Sequence, residues 1–361
     1  MPMKLRVAIN QKPIEGPYGG GNQFAHALER QLTDNGHFVT RSLKPNLDVI
    51  LIVNAQRKSL AASFDVDKAA LYKLRNPKTT VILRFNTCDE QRGRDLGINN
   101  EVLHAAEIAD AYVFVSAFIR DHYLARGLNG SKPNRVIQTG ADRSIFRNDR
   151  RADYAPGEPI RIVTHHWSDN YLKGFDFYQR LDDLLAQPAF GNRFQFTFIG
   201  RLNNAVELRN TTLLSPMSGE KLAAELSSHH LYLTGTRLEP GGNHYVEAMS
   251  CGLPVLYFRS GSTPEYCDGY GASFGFSDFE DVLQNAAANI LALREQVLAY
   301  DYSSKEMTAA YLDFFLDQAQ RKKEDASVPA SAAVVLRKTA AYHASRIISL
   351  LKAAVGKIKR F

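Results

Sequence analysis

Short apolar runs alternate with helical repeats along most of the chain. Residues 4–10 form a run long enough for one buried strand, and further runs recur at 49–53, 81–83, 111–115 and 135–137. Between them apolar residues return every three or four positions. Phe24, Leu28 and Leu32 do so and would share one helix face. That helix is expected to stop at Asn35-Gly36, since glycine readily takes the left-handed conformation that ends helices. Strands alternating with helices predict a parallel sheet covered by helices on both faces.

The segment 148–159, Asn-Asp-Arg-Arg-Ala-Asp-Tyr-Ala-Pro-Gly-Glu-Pro, is charged and carries two prolines, as a linker does. Beyond it the pattern restarts, with runs at 160–164, 194–199, 231–234 and 255–258. The chain is therefore expected to be α/β, with two Rossmann-like doubly wound domains at 1–150 and 151–302. Such domains would face each other across a cleft, with ligands at the carboxyl ends of the strands. Residues 303–325 have helical period and would cross back toward the first domain.

Composition narrows the class. The chain has 361 residues, enough for two domains, and a formal charge of +6. Seven of its 44 basic residues follow Asp325, where no acid remains; the other 37 face 38 acids. The body is thus nearly neutral, which argues against a broad nucleic-acid surface. Cys88, Cys251 and Cys267 match no zinc spacing and cannot all pair, which favours a reducing compartment. No apolar stretch approaches the roughly 20 residues of a membrane-spanning helix, and the start lacks the apolar run of a signal peptide. A cytoplasmic protein is expected, with no metal and no cofactor.

The most informative stretch runs from Thr234 to Val255. A strand gives way to a loop with Glu239-Pro240-Gly241-Gly242, and a helix is expected from about Asn243 to Ser250, ending at Gly252. Glycines beside a helix start let a phosphate approach free backbone N–H groups, which the helix dipole also favours. Glu239 would sit in the loop and Glu247 on the helix, two carboxylates at different depths suited to paired sugar hydroxyls. From the residues alone, Glu239 could equally be a solvated loop acid and Glu247 a surface position. The triplet Gly19-Gly20-Gly21 after the first strand reads as a phosphate loop or a flexible turn; it lacks the dinucleotide spacing.

The 234–255 stretch resembles glycosyltransferase family 4, whose members carry two glutamates with seven residues between them in the setting E-P-x-G…E-A-M…G-x-P-V. The resemblance extends over most of residues 4–320 and implies the GT-B fold. It also implies metal-independent transfer of a sugar from a nucleoside-diphosphate donor, with retention of configuration by front-face attack. On this resemblance Glu247 would hold the donor ribose and Glu239 the donor sugar, with Gly241, Gly242, Asn243 and His244 nearby. Gly20 and Gly21 would approach the phosphates. Lys173, in Lys173-Gly174-Phe175-Asp176, corresponds to the family's phosphate-binding lysine. The family commonly has an arginine five positions earlier; here Ser168 stands there, leaving His166 or Arg201 as substitute cations. Relatives often place a histidine after the 81–83 strand. This chain instead has Arg84-x-Asn86-x-x-Asp89, a pattern some relatives share. Asn86 and Asp89 are expected at the reacting sugar, and Arg84 and Arg92 at the acceptor; a capping and salt-bridge cluster is the alternative. A glycan or lipid-linked acceptor in cell-surface polysaccharide synthesis is expected. An epimerase on the same scaffold and a catalytically silent membrane or partner scaffold are the competing functions.

In the 326–361 tail, Leu336, Ala340, His343, Ile347, Leu350, Ala354, Ile358 and Phe361 follow steps of three and four, with Lys338, Arg346, Lys352 and Lys359 largely opposite. A basic amphipathic helix of this kind suits an anionic membrane surface, or packing on protein. Deleting 326–361 should abolish co-sedimentation with anionic vesicles; undiminished sedimentation would remove the membrane assignment.

Overall fold

The structure is a computed structural model that describes residues 3–12, 20–57 and 59–325. The amphipathic tail expected at 326–361, and residues 13–19 of the first glycine loop, lie outside them.

The first domain holds β1 (Arg6–Ile9), α1 (Gly20–Asp34), β2 (Phe38–Thr40), β3 (Val49–Ile52), α2 (Val66–Arg75), β4 (Thr80–Phe85), α3 (Ile98–Ile108), β5 (Ala111–Phe114), α4 (Ala117–Leu124) and β6 (Asn134–Val136). The second holds β7 (Ile160–His166), α5 (Phe175–Leu185), α6 (Pro188–Gly191), β8 (Phe194–Gly200), β9 (Thr212–Leu214), α7 (Gly219–Ser227), β10 (Leu231–Thr234) and α8 (Asn243–Ser250). It continues with β11 (Val255–Phe258), α9 (Thr263–Cys267), β12 (Gly271–Phe274), α10 (Phe279–Ala288) and α11 (Ile290–Gln296), before α12 (Ser304–Glu324).

Both sheets are parallel and six-stranded, in the orders β2-β1-β3-β4-β5-β6 and β12-β11-β10-β7-β8-β9. Every residue of β3, β4, β5, β10 and β11 is buried, as strands covered on both faces must be, so these read as unbroken apolar runs. The edge strands β2 and β9 have only three residues each, exposed or half-buried, and leave no such run. The strand order reverses between β1 and β3 and again between β7 and β10. Loops leaving the carboxyl ends of strands diverge at these two points and open a crevice in each sheet.

The chain crosses between domains twice, side by side. Ala141 and Ser303 form a parallel bridge, and the Ser304 amide donates to the Ala141 carbonyl at 2.8 Å. A Cβ on Gly140 would stand 2.1 Å from the Ser303 carbonyl oxygen, so only glycine fits there. After the first crossing, Ala141 and Phe146 join Val297 and Tyr300 in the core of the second domain. After the second, Ser303 and Glu306 cap α12 reciprocally. The helix then lays Met307, Tyr311, Phe314 and Phe315 onto Phe24, Leu28 and Leu32 of α1. It thus closes the core of the first domain.

An ion cluster pins the far end of α12. Asp110 accepts from Lys73 Nζ and Lys322 Nζ, each at 2.8 Å, and from the Val81 amide at 2.8 Å. Burial disfavours the charged carboxylate, but the two ammonium groups outweigh it and hold Asp110 below the ordinary aspartate range. Asp110→Asn should cost roughly 3 kcal/mol, because two lysines lose their counter-charge. The melting temperature should fall by about 6–12 °C at neutral pH. A depressed folded-state pKa stabilises above the unfolded value and is lost as pH drops through the folded one. The gap between wild type and variant should therefore narrow as the pH falls below the ordinary aspartate value of about 3.9 in a calorimetric pH series.

Candidate active site

The two switch points face each other, and between them lies a cleft cavity of about 450 Å³ lined by both domains. Its second-domain wall comes from the loops after β7 and β10 and the start of α8; its first-domain wall comes from the loops after β1, β3 and β4 with the start of α1.

Both glutamates are buried, Glu239 at 7% exposure and Glu247 at 4%. Buried carboxylates need partners. Glu247, one turn into α8, reaches His165 Nε2 at 2.9 Å, and His165 Nδ1 lies 3.2 Å from the Tyr232 hydroxyl. Glu239 forms an ion pair with Lys173 and accepts from Thr236 Oγ1 at 3.3 Å. Lys173 is itself placed by a buried relay. The Tyr178 hydroxyl donates to the Lys173 carbonyl at 2.8 Å and lies 2.5 Å from His166 Nε2. With that hydroxyl committed as donor, His166 carries its proton on Nε2. Burial, then Lys173 and His165, push His166 well below the ordinary histidine range. His244, 2.9 Å from Thr234 Oγ1, is lowered in the same way by burial and then by His166. Both rings are neutral at working pH.

Two helix starts meet across the cleft. A Cβ on Gly20 would stand 2.7 Å from the Asn243 side chain, and Asn243 Nδ2 donates to Gln23 Oε1 at 3.0 Å. The first turns of α1 and α8 thus direct their N–H groups and positive dipole ends toward one region. One of these amides is taken, since Gly242 N donates to the Tyr245 hydroxyl at 2.5 Å. The seam around them is shared between domains. Ser116 Oγ donates to the Pro240 carbonyl at 2.6 Å, and Tyr266 donates to the Val115 carbonyl while accepting from the Thr139 amide. Glu265 accepts from the Ala117 amide at 2.7 Å and so caps α4 from the opposite domain.

Gly20, Gly21, Arg84, Asn86, Arg92, His166, Lys173, Glu239, Gly241, Gly242, Asn243, His244 and Glu247 all line the cavity. Two expected residues do not. Asp89 accepts from the amides of Leu96, Ile98 and Asn99 at 2.8–3.1 Å; these engage both its oxygens and anchor the 86–92 loop to the start of α3. Arg201 stands outside the lining, its guanidinium 4.5 Å above the Trp167 ring. His166, offered as a substitute cation, is neutral and serves to place Lys173. Arg84 lines the wall, but its Nε is committed to the Tyr311 hydroxyl at 3.0 Å. Residues not anticipated also line it: His165, Gln11, Asn54 and Trp167, the single tryptophan of the chain. Pro216, Met217 and Ser218 do too. His165 pairs with Glu247, 82 positions away, a separation that local sequence spacing does not reveal. Behind the 86–92 loop, Cys88, Glu90 and His122 bring potential metal-ligand atoms within 4.8 Å of one another. There Arg126 and Asn99 engage the Glu90 carboxylate.

No protein-family model matches the sequence, and no curated protein does. Solved structures do match. HepE from Anabaena, in complex with UDP and glucose, superposes with a TM-score of 0.62 at 12% identity over 86% of this chain and 99% of that one. The catalytic domain of starch synthase IV from Arabidopsis thaliana, bound to ADP and acarbose, gives 0.61 at 13% identity over 88% and 100%. Sucrose-phosphate synthase from Thermosynechococcus elongatus gives 0.58 at 16% over 86% and 98%. The chain has the fold of these enzymes, GT-B, with two Rossmann-like domains facing across a cleft.

Gly174 holds the Lys173 loop in place, with φ +100°, and a Cβ there would lie 2.5 Å from Gly235 Cα. Gly174→Ala should therefore cost about 2–3 kcal/mol through left-handed strain and backbone contact. Thermal unfolding should show a loss of about 4–12 °C. An unshifted melting temperature would mean that the loop can move without penalty.

Proposed function

We propose that this chain is a glycosyltransferase that moves a sugar from a nucleoside-diphosphate donor to an acceptor hydroxyl. One observation carries the proposal. Two buried glutamates, each held by a cationic or imidazole partner, stand at a strand-order reversal beside two converging helix starts. That arrangement suits a ligand with hydroxyls at both ends and a diphosphate between them. Glu247, positioned by His165, would take the ribose hydroxyls, and Glu239 the transferred sugar. The first-turn amides of α1 and α8, with Lys173, would face the diphosphate. HepE and starch synthase IV were solved with UDP and with ADP, nucleoside diphosphates of the class proposed here.

The chemistry follows from these roles. The bond from the anomeric carbon to the diphosphate oxygen breaks, and the acceptor oxygen attacks the same face, so configuration is retained. The acceptor proton passes to the departing diphosphate, whose growing charge the lysine and the amides stabilise. No step is routed through a metal or through a protein base; the neutral His166 and His244 shape the wall. Domain closure would exclude water and limit hydrolysis of the donor. The first-domain wall presents Asn86, Gln11 and Asn54, neutral hydrogen-bonding groups suited to a glycan or lipid-linked glycan acceptor. The 326–361 tail would bring the enzyme to a membrane carrying such an acceptor. Among the described residues no helix is long and apolar enough to cross that membrane.

Trp167 supplies the readout. Titrating nucleoside diphosphates and nucleotide sugars should change its fluorescence, and Glu247→Gln should weaken binding about 10- to 100-fold, the worth of one charged hydrogen bond pair. Glu239→Gln should spare nucleoside-diphosphate binding more than turnover of the sugar donor. Unchanged affinity and turnover in both variants would refute the proposal. Conversion of the donor sugar with no acceptor present would identify an epimerase instead.

A further inference from the structure

Among the described residues, the cleft leaves one buried cation without a charge partner. Arg84, at the end of β4, is only 6% exposed and lines the cavity. Its Nε donates to Tyr311, and the guanidinium lies 4.1 Å from the Phe24 ring centroid. Among the described residues no carboxylate oxygen comes within 4.0 Å of its nitrogens. A desolvated charge with no counter-ion costs several kcal/mol, and an uncharged side chain would brace Tyr311 without that cost. The arrangement is economical only if an anion enters the cleft.

We infer that Arg84 binds the donor diphosphate, supplying from the first domain a cation to act with Lys173 of the second. This deepens the glycosyltransferase proposal and rests on it. The other cations differ: Lys173 already has Glu239 as its partner, Arg201 lies over Trp167 outside the cavity, and Arg92 lines the cavity from an exposed position. Position points the same way. Phe24 belongs to α1 one turn beyond Gly20, where that helix start meets Asn243. Arg84 therefore lies beside the first-domain helix start, in a cavity that Gly241 and Gly242 of the second domain also line. A guanidinium can take two phosphate oxygens at once, and Arg84 keeps its two terminal nitrogens for that purpose. As the glycosidic bond breaks, charge collects on the diphosphate within reach of both Arg84 and Lys173. The two domains would thus hold the leaving group jointly, and donor binding would draw them together.

The test is calorimetric titration of the full chain with UDP, ADP, the matching nucleosides and inorganic pyrophosphate. Arg84→Gln should weaken the preferred diphosphate, and pyrophosphate with it, by about 10- to 100-fold, while its nucleoside changes less than about twofold. Tyr311→Phe removes the brace but keeps the cation, and should stay within about threefold of wild type for every ligand. Diphosphate affinity unchanged in Arg84→Gln would overturn the inference. So would parallel losses for diphosphate and nucleoside in Arg84→Gln and Tyr311→Phe, which would make Arg84 a brace for α12. If Arg84→Gln does not fold, Arg84→Lys decides. It should weaken the diphosphate about 3- to 10-fold through loss of the paired contact, and full retention would overturn the inference. Wild-type affinity for nucleoside diphosphates tests the glycosyltransferase proposal; the ratio of variant to wild type tests the role of Arg84.

Discussion

Backbone groups at the seam between the two domains find their partners only on the other side. The Pro240 and Val115 carbonyls, the Thr139 amide and the first amide of α4 are satisfied by Ser116, Tyr266 and Glu265 across the boundary. A buried polar group left without a partner costs about 1–3 kcal/mol, so these bonds set the distance at which the domains rest. The loop carrying Glu239 is fixed through them, because its neighbour Pro240 is tied to the first domain. Glycines at 140 and 241 make the approach possible, since added carbons there would meet Ser303 in one case and Val115 and Tyr266 in the other. The site is therefore a property of the seam and belongs to neither domain alone.

Within that frame the charges are arranged by partnership more than by number. Glu239 is paired with Lys173 and Glu247 hydrogen-bonds His165, while the two buried histidines, 166 and 244, are held neutral by burial. A cleft that must accept a polyanion cannot also hold unmatched carboxylates. It meets this condition by pairing each acid and directing two helix starts inward. Neutral histidines then do mechanical work. His166 and Tyr178 pass a hydrogen bond to the carbonyl of Lys173, which places the cation without adding to the local charge.

Much of this was legible in the residues. Runs of valine, isoleucine and leucine mark strands buried on both faces, and the 234–255 stretch reads correctly as strand, loop and helix because glycine, proline and periodicity agree there. The edge strands β2 and β9 escaped, having too few apolar positions to form a run, while β6 was read at 135–137. Residues that line the cleft were legible where their motif is local, as with Glu239, Gly242 and Asn243. They were not where the partner is distant. The resemblance suggested a substrate-facing Asp89, but three amides from the following helix turn claim both its oxygens. His165 finds its partner only where the fold brings Glu247 to it. Sequence spacing carries no information about an angle, and whether a polar side chain faces the cleft or the loop behind it is a matter of angle.

The paired crossings at Ala141 and Ser303 have one more consequence, for the order of events during synthesis. The first domain is interrupted in sequence: its sheet ends with β6, yet the helix that covers Phe24, Leu28 and Leu32 is α12, made only after the whole second domain. A nascent chain emerging from the ribosome must carry that apolar face uncovered while the second domain, continuous from about residue 141 to 302, completes its own core. The earlier half of the polypeptide is thus the later to mature, and it depends on chaperones or on speed for the length of one domain's translation.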